Sequence, residues 1–398
     1  MFPKTAFGAA LFIHSLELLS IFMTQKTYSQ VFFTGFRASG AKENKVNKIK
    51  ALFGAAGFGS LIEKDCLTAI KIHFGEKGND TFINPVFVRT VVDLLKKEKA
   101  RPFITDSNTL YQGSRHNAVD HLQTAIEHGF GYATVNAPLI IADGLRGSSF
   151  SPVTINKKHF STVKIADAIV EAHSLIVMSH FKGHELAGFG GAIKNLAMGC
   201  APSQGKFDQH AMRFFVKEKK CIACGMCMAN CPQKAISWGE QAEEKHACID
   251  KEKCVGCGEC LTVCEPKAVQ FDWATEIEPF NERMVEYAYG AVQGKNGRVG
   301  YLNFLMNITP HCDCVPWSDA PLVPDIGILA SCDPVALDKA CYDLVNNQTG
   351  FANSSLRANH APGENKFTGA WASTRGDVQF FYAESIGLGS CDYELMEI

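Results

Sequence analysis

The chain has 398 residues, 46% of them hydrophobic and 20% charged, with a formal net charge of −2. That balance excludes nucleic-acid binding driven by a basic excess and a disordered acidic tail, and the length accommodates two or three domains with at least one sizeable core. The unusual feature is sixteen cysteines, in a chain too long to be a small disulfide scaffold.

Residues 6–22, AFGAALFIHSLELLSIF, follow Lys4 and have the outline of a signal peptide. His14 and Glu17 interrupt the apolar run, no small-residue cleavage site follows, and the run is short for a membrane span. Residues 1–22 therefore read as an upstream extension, with Met23 as the natural start and a membrane or interfacial anchor as the alternative.

VFFTGF (31–36) is the first strand expected. LTAIKIHF (67–74) is the next, and PVFVRTVVDLLKKEKA (85–100) is an amphipathic helix opened by Pro85. PFITD (102–106) reads as a strand and RHNAVDHLQTAIEHG (115–129) as a helix closed by glycine. PLIIAD (138–143) and SLIVMSHF (174–181) are further strands. Beyond residue 273, MVEYAYGAVQG (284–294) is helical, RVGYLNFLM (298–306) and DIGILAS (325–331) are strands, and residues 333–347 form a helix with Asp333 as cap and Pro334 at its first position. Strands separated by helices imply parallel crossovers, hence an α/β fold with a mostly parallel sheet and flanking helices.

The stretch between these two halves has a different chemistry. CIACGMCMANCP (221–232) and CVGCGECLTVCEP (254–266) each read C-x2-C-x2-C-x3-C with a proline at or just after the end, the spacing of bacterial two-cluster ferredoxins. Three thiolates in a tight loop hold three corners of a cubane, and the fourth reaches the other cluster. Cys221, Cys224, Cys227 and Cys264 are thus expected to bind one [4Fe–4S] centre, and Cys254, Cys257, Cys260 and Cys231 the second. Paired zinc knuckles are the alternative, since zinc also takes four thiolates. Cys248 fits neither set and reads as an ordinary buried thiol. The resulting division is 1–22, an extension; 23–216, the first part of the α/β body; 217–273, an inserted α+β two-cluster ferredoxin-like domain; and 274–398, the second part. Two separate α/β domains flanking the insertion are the alternative.

Open α/β sheets bind ligands beyond the carboxyl ends of their strands, and those ends are loaded here. They carry His73, Glu76, Lys77 and Asn79; Asp106, Ser107, Asn108 and Tyr111; Asp143 and Arg146; His180, Lys182, His184, Glu185 and Lys194; and His311, Cys312, Asp313, Cys314 and Asp319. Singly, such clusters are solvated turns or helix caps. Five on one edge point to a polar cleft with His73, Asp106, His180, Lys182, His184 and Lys194 as catalytic candidates. HFKGHELAGFGGAIKN (180–195) matches neither Walker A nor H-E-x-x-H. It reads instead as an anion cradle in which glycines let backbone N–H groups converge and Lys182 or Lys194 adds charge. His311, Cys312 and Cys314 form either a further metal site or a redox thiol pair, a structural turn being the alternative.

KIHFGEKGNDTFI, TDSNTLYQGSRHNAVDH, ADGLRG, SHFKGHELAGFGGAIKNLAMGC and NFLMNITPHCDCVPWSDAPLVPDIGILAS resemble the signature segments of the domain-of-unknown-function 362 family, in particular its iron–sulfur-centre branch. The resemblance covers the chain from about residue 30 onward and implies two [4Fe–4S] clusters on an α/β body of unassigned activity. A more distant similarity, to the catalytic domain of nickel-pincer lactate racemases, suits a glycine-rich loop holding a small acid or cofactor. The expected function is an iron–sulfur oxidoreductase or electron-transfer protein with an anionic ligand and a redox partner protein, in a reducing cytoplasm and away from membrane and nucleic acid. The alternatives are a dedicated electron carrier and a non-redox, isomerase-like enzyme with structural clusters.

Overall fold

Runs of valine, isoleucine and leucine build an eight-stranded sheet. The computed structural model describes residues 28–398 apart from 112, 211–212, 232, 240–244, 252, 255–258 and 273–276, so the expectations for residues 1–22 and for Cys257 fall outside the described residues. The strands are β1 (Ser29–Gly35), β2 (Leu67–Lys71), β3 (Arg101–Asp106), β4 (Leu139–Ile141), β5 (Ser174–His180), β6 (Val299–Leu305), β7 (Gly327–Ser331) and β8 (Tyr393–Glu397). Their order is β8-β1-β7-β6-β5-β2-β3-β4. β7 alone runs against the others, pairing antiparallel with both β1 and β6; the remaining pairs are parallel.

Alternation along the central strands explains why both faces are covered. On β5, Leu175 and Val177 enter one core and Ile176 and Met178 the other, as period-two geometry requires. Helices α1 (Lys45–Ala55) and α2 (Pro85–Lys97) cover the second face with Ile49, Leu52, Val88, Val91 and Leu95, all fully buried. Each such aliphatic side chain contributes about 1.5–3 kcal/mol relative to exposure. The first face is covered by α4 (Ala192–Ala197), α6 (Ile277–Val292) and α7 (Pro334–Asn346); α3 (Ala118–Glu127) adds Ala125 to the second core, and α5 (Ser203–His210) gives Phe207 to a separate small one. Asp333 caps α7 as expected, accepting from the N–H groups of Val335 at 2.8 Å and Ala336 at 3.0 Å. The helix expected from residue 115 begins at Ala118 because the Asn117 side chain accepts from Val119 and Asp120 and fixes the start there.

Between α5 and α6 the chain leaves the sheet. Arg213–Val216 pairs antiparallel with Val269–Asp272, and Ile236–Trp238 with Ala247–Ile249. A separate small core gathers Cys227, Ile236, Ala247, Cys260 and Val269 against Phe207 of α5. β5 and β6 lie on opposite sides of this segment in sequence and are neighbours in the sheet.

Candidate active-site cleft

The carboxyl ends of β2, β3, β5 and β6 open into one cavity of about 750 Å³. His73, Asp106, His180, Lys182, His184 and Lys194 all line it, together with Glu76, Arg115, Glu185, Lys206, Cys312 and Cys314. Phe214 and Leu261 of the cysteine-rich segment close another side. Leu261 directly follows Cys260.

The back wall is a buried charge network. Lys71 Nζ lies 2.9 Å from Asp106 Oδ1 and 2.7 Å from Asn195 Oδ1. A side chain on Gly199 would collide with the Lys71 ammonium, so the turn after α4 needs glycine for the lysine to fit. Arg115 spans the wall, its Nε 3.1 Å from Glu76 Oε2, its Nη1 3.1 Å from His73 Nε2 and its Nη2 donating to the Tyr111 hydroxyl at 2.7 Å. Burial alone would raise the Asp106 pKa, but Lys71, His73, His121 and Arg115 reverse this and hold the carboxylate charged. Burial, helped by Arg115, lowers the His73 pKa to about 3, leaving a neutral ring.

Two of the histidines have different roles. His180 is locked on both sides: Nδ1 lies 2.9 Å from Asp313 Oδ1, while Nε2 faces the carbonyls of Met306 at 2.8 Å and Asn307 at 3.0 Å. It therefore anchors Asp313, which also holds Lys182 at 2.9 Å. His184 is freer. Its Nδ1 accepts from the N–H groups of Leu186 and Ala187, leaving Nε2–H as the donor. Burial lowers its pKa to about 4, and that of the neighbouring Glu185 is also lowered, first through its coupling to His184. Glu185 Oε2 is buried and accepts no hydrogen bond.

The glycine-rich stretch corrects one expectation. Lys182–His184 pairs with Gly188–Gly190 as a small hairpin leading into α4. The N–H groups at the start of α4 do not converge on the cavity: Asp338 accepts from Ala192 at 2.7 Å and Ile193 at 2.9 Å. A buried carboxylate already satisfies them, so backbone amides there are no anion cradle. The positive charge comes from side chains. Lys194 and Lys206 make no ion pair among the described residues, and Lys206 donates to Ser107 Oγ and the Ala201 carbonyl, each at 2.6 Å. Burial lowers the Lys206 pKa to about 8 despite Asp143. Burial would also lower that of Lys194, but the Cys312 sulfur, 3.6 Å away, reverses the direction.

His311 does not join Cys312 and Cys314. Its ring packs edge-on against Trp371, with centroids 5.0 Å apart, and does not line the cavity. Among the described residues the group of three or more potential ligands with donor atoms mutually within 4.8 Å is Glu63, Cys66 and His173. These lie at the opposite, amino ends of β2 and β5, where Arg298 already approaches Glu63 at 3.9 Å.

The cysteine-rich segment repeats its own geometry. Cys221, Cys224, Cys227 and Cys264 line one small cavity with Ile222, Trp238 and Val269. Cys231 Sγ accepts from the N–H of Ala235 at 3.3 Å, and Cys264 Sγ from that of Ala268 at 3.1 Å. Lys234 and Lys267 occupy matching left-handed positions, with φ of 49° and 52°. Cys231, Cys254 and Cys260 share the small core.

Arg115 and Lys206 are cleft residues that strand-end reasoning missed, as is Lys71, which stands behind Asp106 outside the lining. Lys71 was detectable as a lone charge inside an apolar strand; Arg115 and Lys206 reach the cavity from regions that read as ordinary helix and linker.

A mostly parallel α/β sheet with a cation-rich cleft at its carboxyl edge defines the class of protein. The chain belongs to the family described as a domain of unknown function (DUF362), which matches residues 68–343. No curated protein matches the sequence. Among solved structures, the lactate racemase apoprotein from Thermoanaerobacterium thermosaccharolyticum is 13% identical, with a TM-score of 0.34 over 70% of this chain and 51% of that one. A Thermotoga maritima protein is 10% identical, with a TM-score of 0.28 over 65% and 61%. The chain thus spans about half the length of the racemase. Among the described residues no helix is long and apolar enough to cross a membrane.

Proposed function

We propose that this protein is an iron–sulfur oxidoreductase that passes electrons to a small anionic substrate in the cleft. Cys221, Cys224, Cys227 and Cys264 hold one [4Fe–4S] cluster; Cys254, Cys257, Cys260 and Cys231 hold the other, within an inserted ferredoxin-like domain spanning 217–273. The clusters supply one-electron transfer. N–H groups donated to Cys231 and Cys264 suit thiolate ligands whose charge such donors stabilise. Zinc fits less well. With Zn–S bonds of about 2.3 Å, tetrahedral sulfurs stand about 3.8 Å apart, whereas no three described cluster cysteines bring their sulfurs mutually within 4.8 Å.

The observation that carries this reading is the shared cavity: Leu261, beside Cys260, faces the same space as His184, Glu185, Lys194 and Lys206. Lys194 and Lys206 neutralise the anion, His184 offers an N–H to developing negative charge, and Glu185 is placed to move a proton. Electrons enter from a partner protein at the face where Cys224, Ile222 and Met226 are exposed, in a reducing cytoplasm that preserves the clusters. The test is anaerobic reconstitution with iron and sulfide counts, followed by thermal-shift measurements against small carboxylates and phosphates. About eight irons per chain and a ligand shift abolished by Lys194→Ala are expected. Bound zinc without iron defeats the cluster assignment; full iron with no ligand shift favours an electron carrier instead.

A further inference from the structure

Two sulfurs stand in the cleft wall with nothing in the proposed function to explain them. Cys312 and Cys314 lie on either side of Asp313 in the loop after β6, and both line the cavity. Their loop is held firmly. Trp371 Nε1 donates to the Pro310 carbonyl at 2.8 Å, the Gly183 N–H to the Thr309 carbonyl at 2.8 Å, and the Tyr111 hydroxyl to the Cys314 carbonyl at 2.9 Å. No third ligand completes a metal trio with them among the described residues.

The two thiols are unequal. Lys194 Nζ donates to Cys312 Sγ at 3.6 Å, with Lys182 also nearby; Lys194 acts on Cys314 as well, but its hydrogen bond goes to Cys312. The neighbouring Cys314 and these ammonium groups favour the Cys312 thiolate against the cost of its burial, while Cys314 keeps its proton. A thiolate beside a protonated thiol is the arrangement of an attacking and a resolving sulfur.

We propose that Cys312 and Cys314 are a redox-active pair, cycling between dithiol and intramolecular disulfide by exchange with a small anionic disulfide held by Lys194 and Lys206. The Cys312 thiolate attacks one sulfur of the substrate, breaking its S–S bond and expelling the first thiolate. Cys314 then loses its proton and attacks the Cys312 sulfur, forming the protein disulfide and expelling the second. The substrate gains two electrons and the pair loses two. Two electrons and two protons restore the dithiol, supplied by an external dithiol or by a one-electron donor acting twice. The substrate class rests on the cleft reading above; the exchange itself does not require the clusters.

The test treats full-length, anaerobically reconstituted protein with 5,5′-dithiobis(2-nitrobenzoate), an anionic disulfide, or with cystamine, a cationic one, and follows the peptide bearing residues 312–314 by mass spectrometry. The wild-type peptide is expected to become lighter by two hydrogens without retaining an adduct, and the rate advantage of the anionic reagent is expected to exceed the advantage it has with free N-acetylcysteine, which accounts for its better leaving group. Cys314→Ser should trap one thionitrobenzoate on Cys312, and Lys194→Gln, checked by circular dichroism for folding, should react about tenfold more slowly through loss of thiolate. Adducts on both cysteines, no reaction at either, or an anionic-to-cationic rate ratio no greater than that of free N-acetylcysteine would overturn the proposal. Iron counted on the same samples reports separately on the clusters, so exchange without iron leaves this inference standing and removes the cluster assignment alone.

Discussion

The Lys71 ammonium and the Asp106 carboxylate meet at 2.9 Å with side-chain exposures of 0% and 3%. Each depends on the other, because an unpaired charge at that depth keeps its full desolvation cost. Lys71→Met should therefore destabilise the protein by about 3–5 kcal/mol, read from the denaturant midpoint. Adding Asp106→Asn should recover part of that loss; a double variant weaker by the sum of the two singles would show that the pair is not the source.

Acid should weaken the fold through buried histidines. His184 and His73 have pKa values lowered by burial to about 4 and about 3, below the unfolded value near 6.5. A depressed basic group makes the unfolded chain bind protons first, so stability is complete above about pH 6.5 and falls as pH drops toward the folded values. The slope is about 1.4 kcal/mol per pH unit for each histidine. Melting temperatures from pH 7 to 4 check this, and His184→Gln should flatten part of the decline.

Anion affinity should have an alkaline limb. Lys206 is charged below about pH 8, so titration calorimetry with oxalate should show binding weakening as pH rises through that value. Lys206→Met should bind more weakly at pH 7 and lose this limb. A limb that survives the substitution would assign it to another group.

Cluster loading should separate Cys224 from Cys248. Cys224→Ala should lower iron by about four per chain, whereas Cys248→Ser should leave it unchanged, since Cys248 sits on the strand Ala247–Ile249 and outside the cavity formed by the first four thiols.

Much of the fold was legible because local signals agreed with packing. Asp333 and Pro334 marked the start of α7, and the apolar run at 175–178 marked a strand. The reversal of β7 was not legible, because an apolar strand such as GILAS reads alike in either direction. Nor was β8, whose residues are mostly exposed and carry no apolar pattern; it joins the sheet through backbone pairing with β1. Strand-end residues gathered in the cleft because parallel strands deliver their carboxyl ends to one edge. What each does there depended on distant partners: His180 looked like a catalytic acid until Asp313 and two carbonyls accounted for its ring, and the glycine-rich loop like an amide cradle until Asp338 filled it.

The pairing of β5 with β6 has a consequence for biosynthesis. Leu175 lies beside Val299, about 120 residues later, so the centre of the sheet closes only after the cysteine-rich segment has left the ribosome. Contacts of such long range form late. The segment therefore emerges while the cleft is still half built, and any cofactor destined for it has a window for loading before Leu261 is pressed against the cavity.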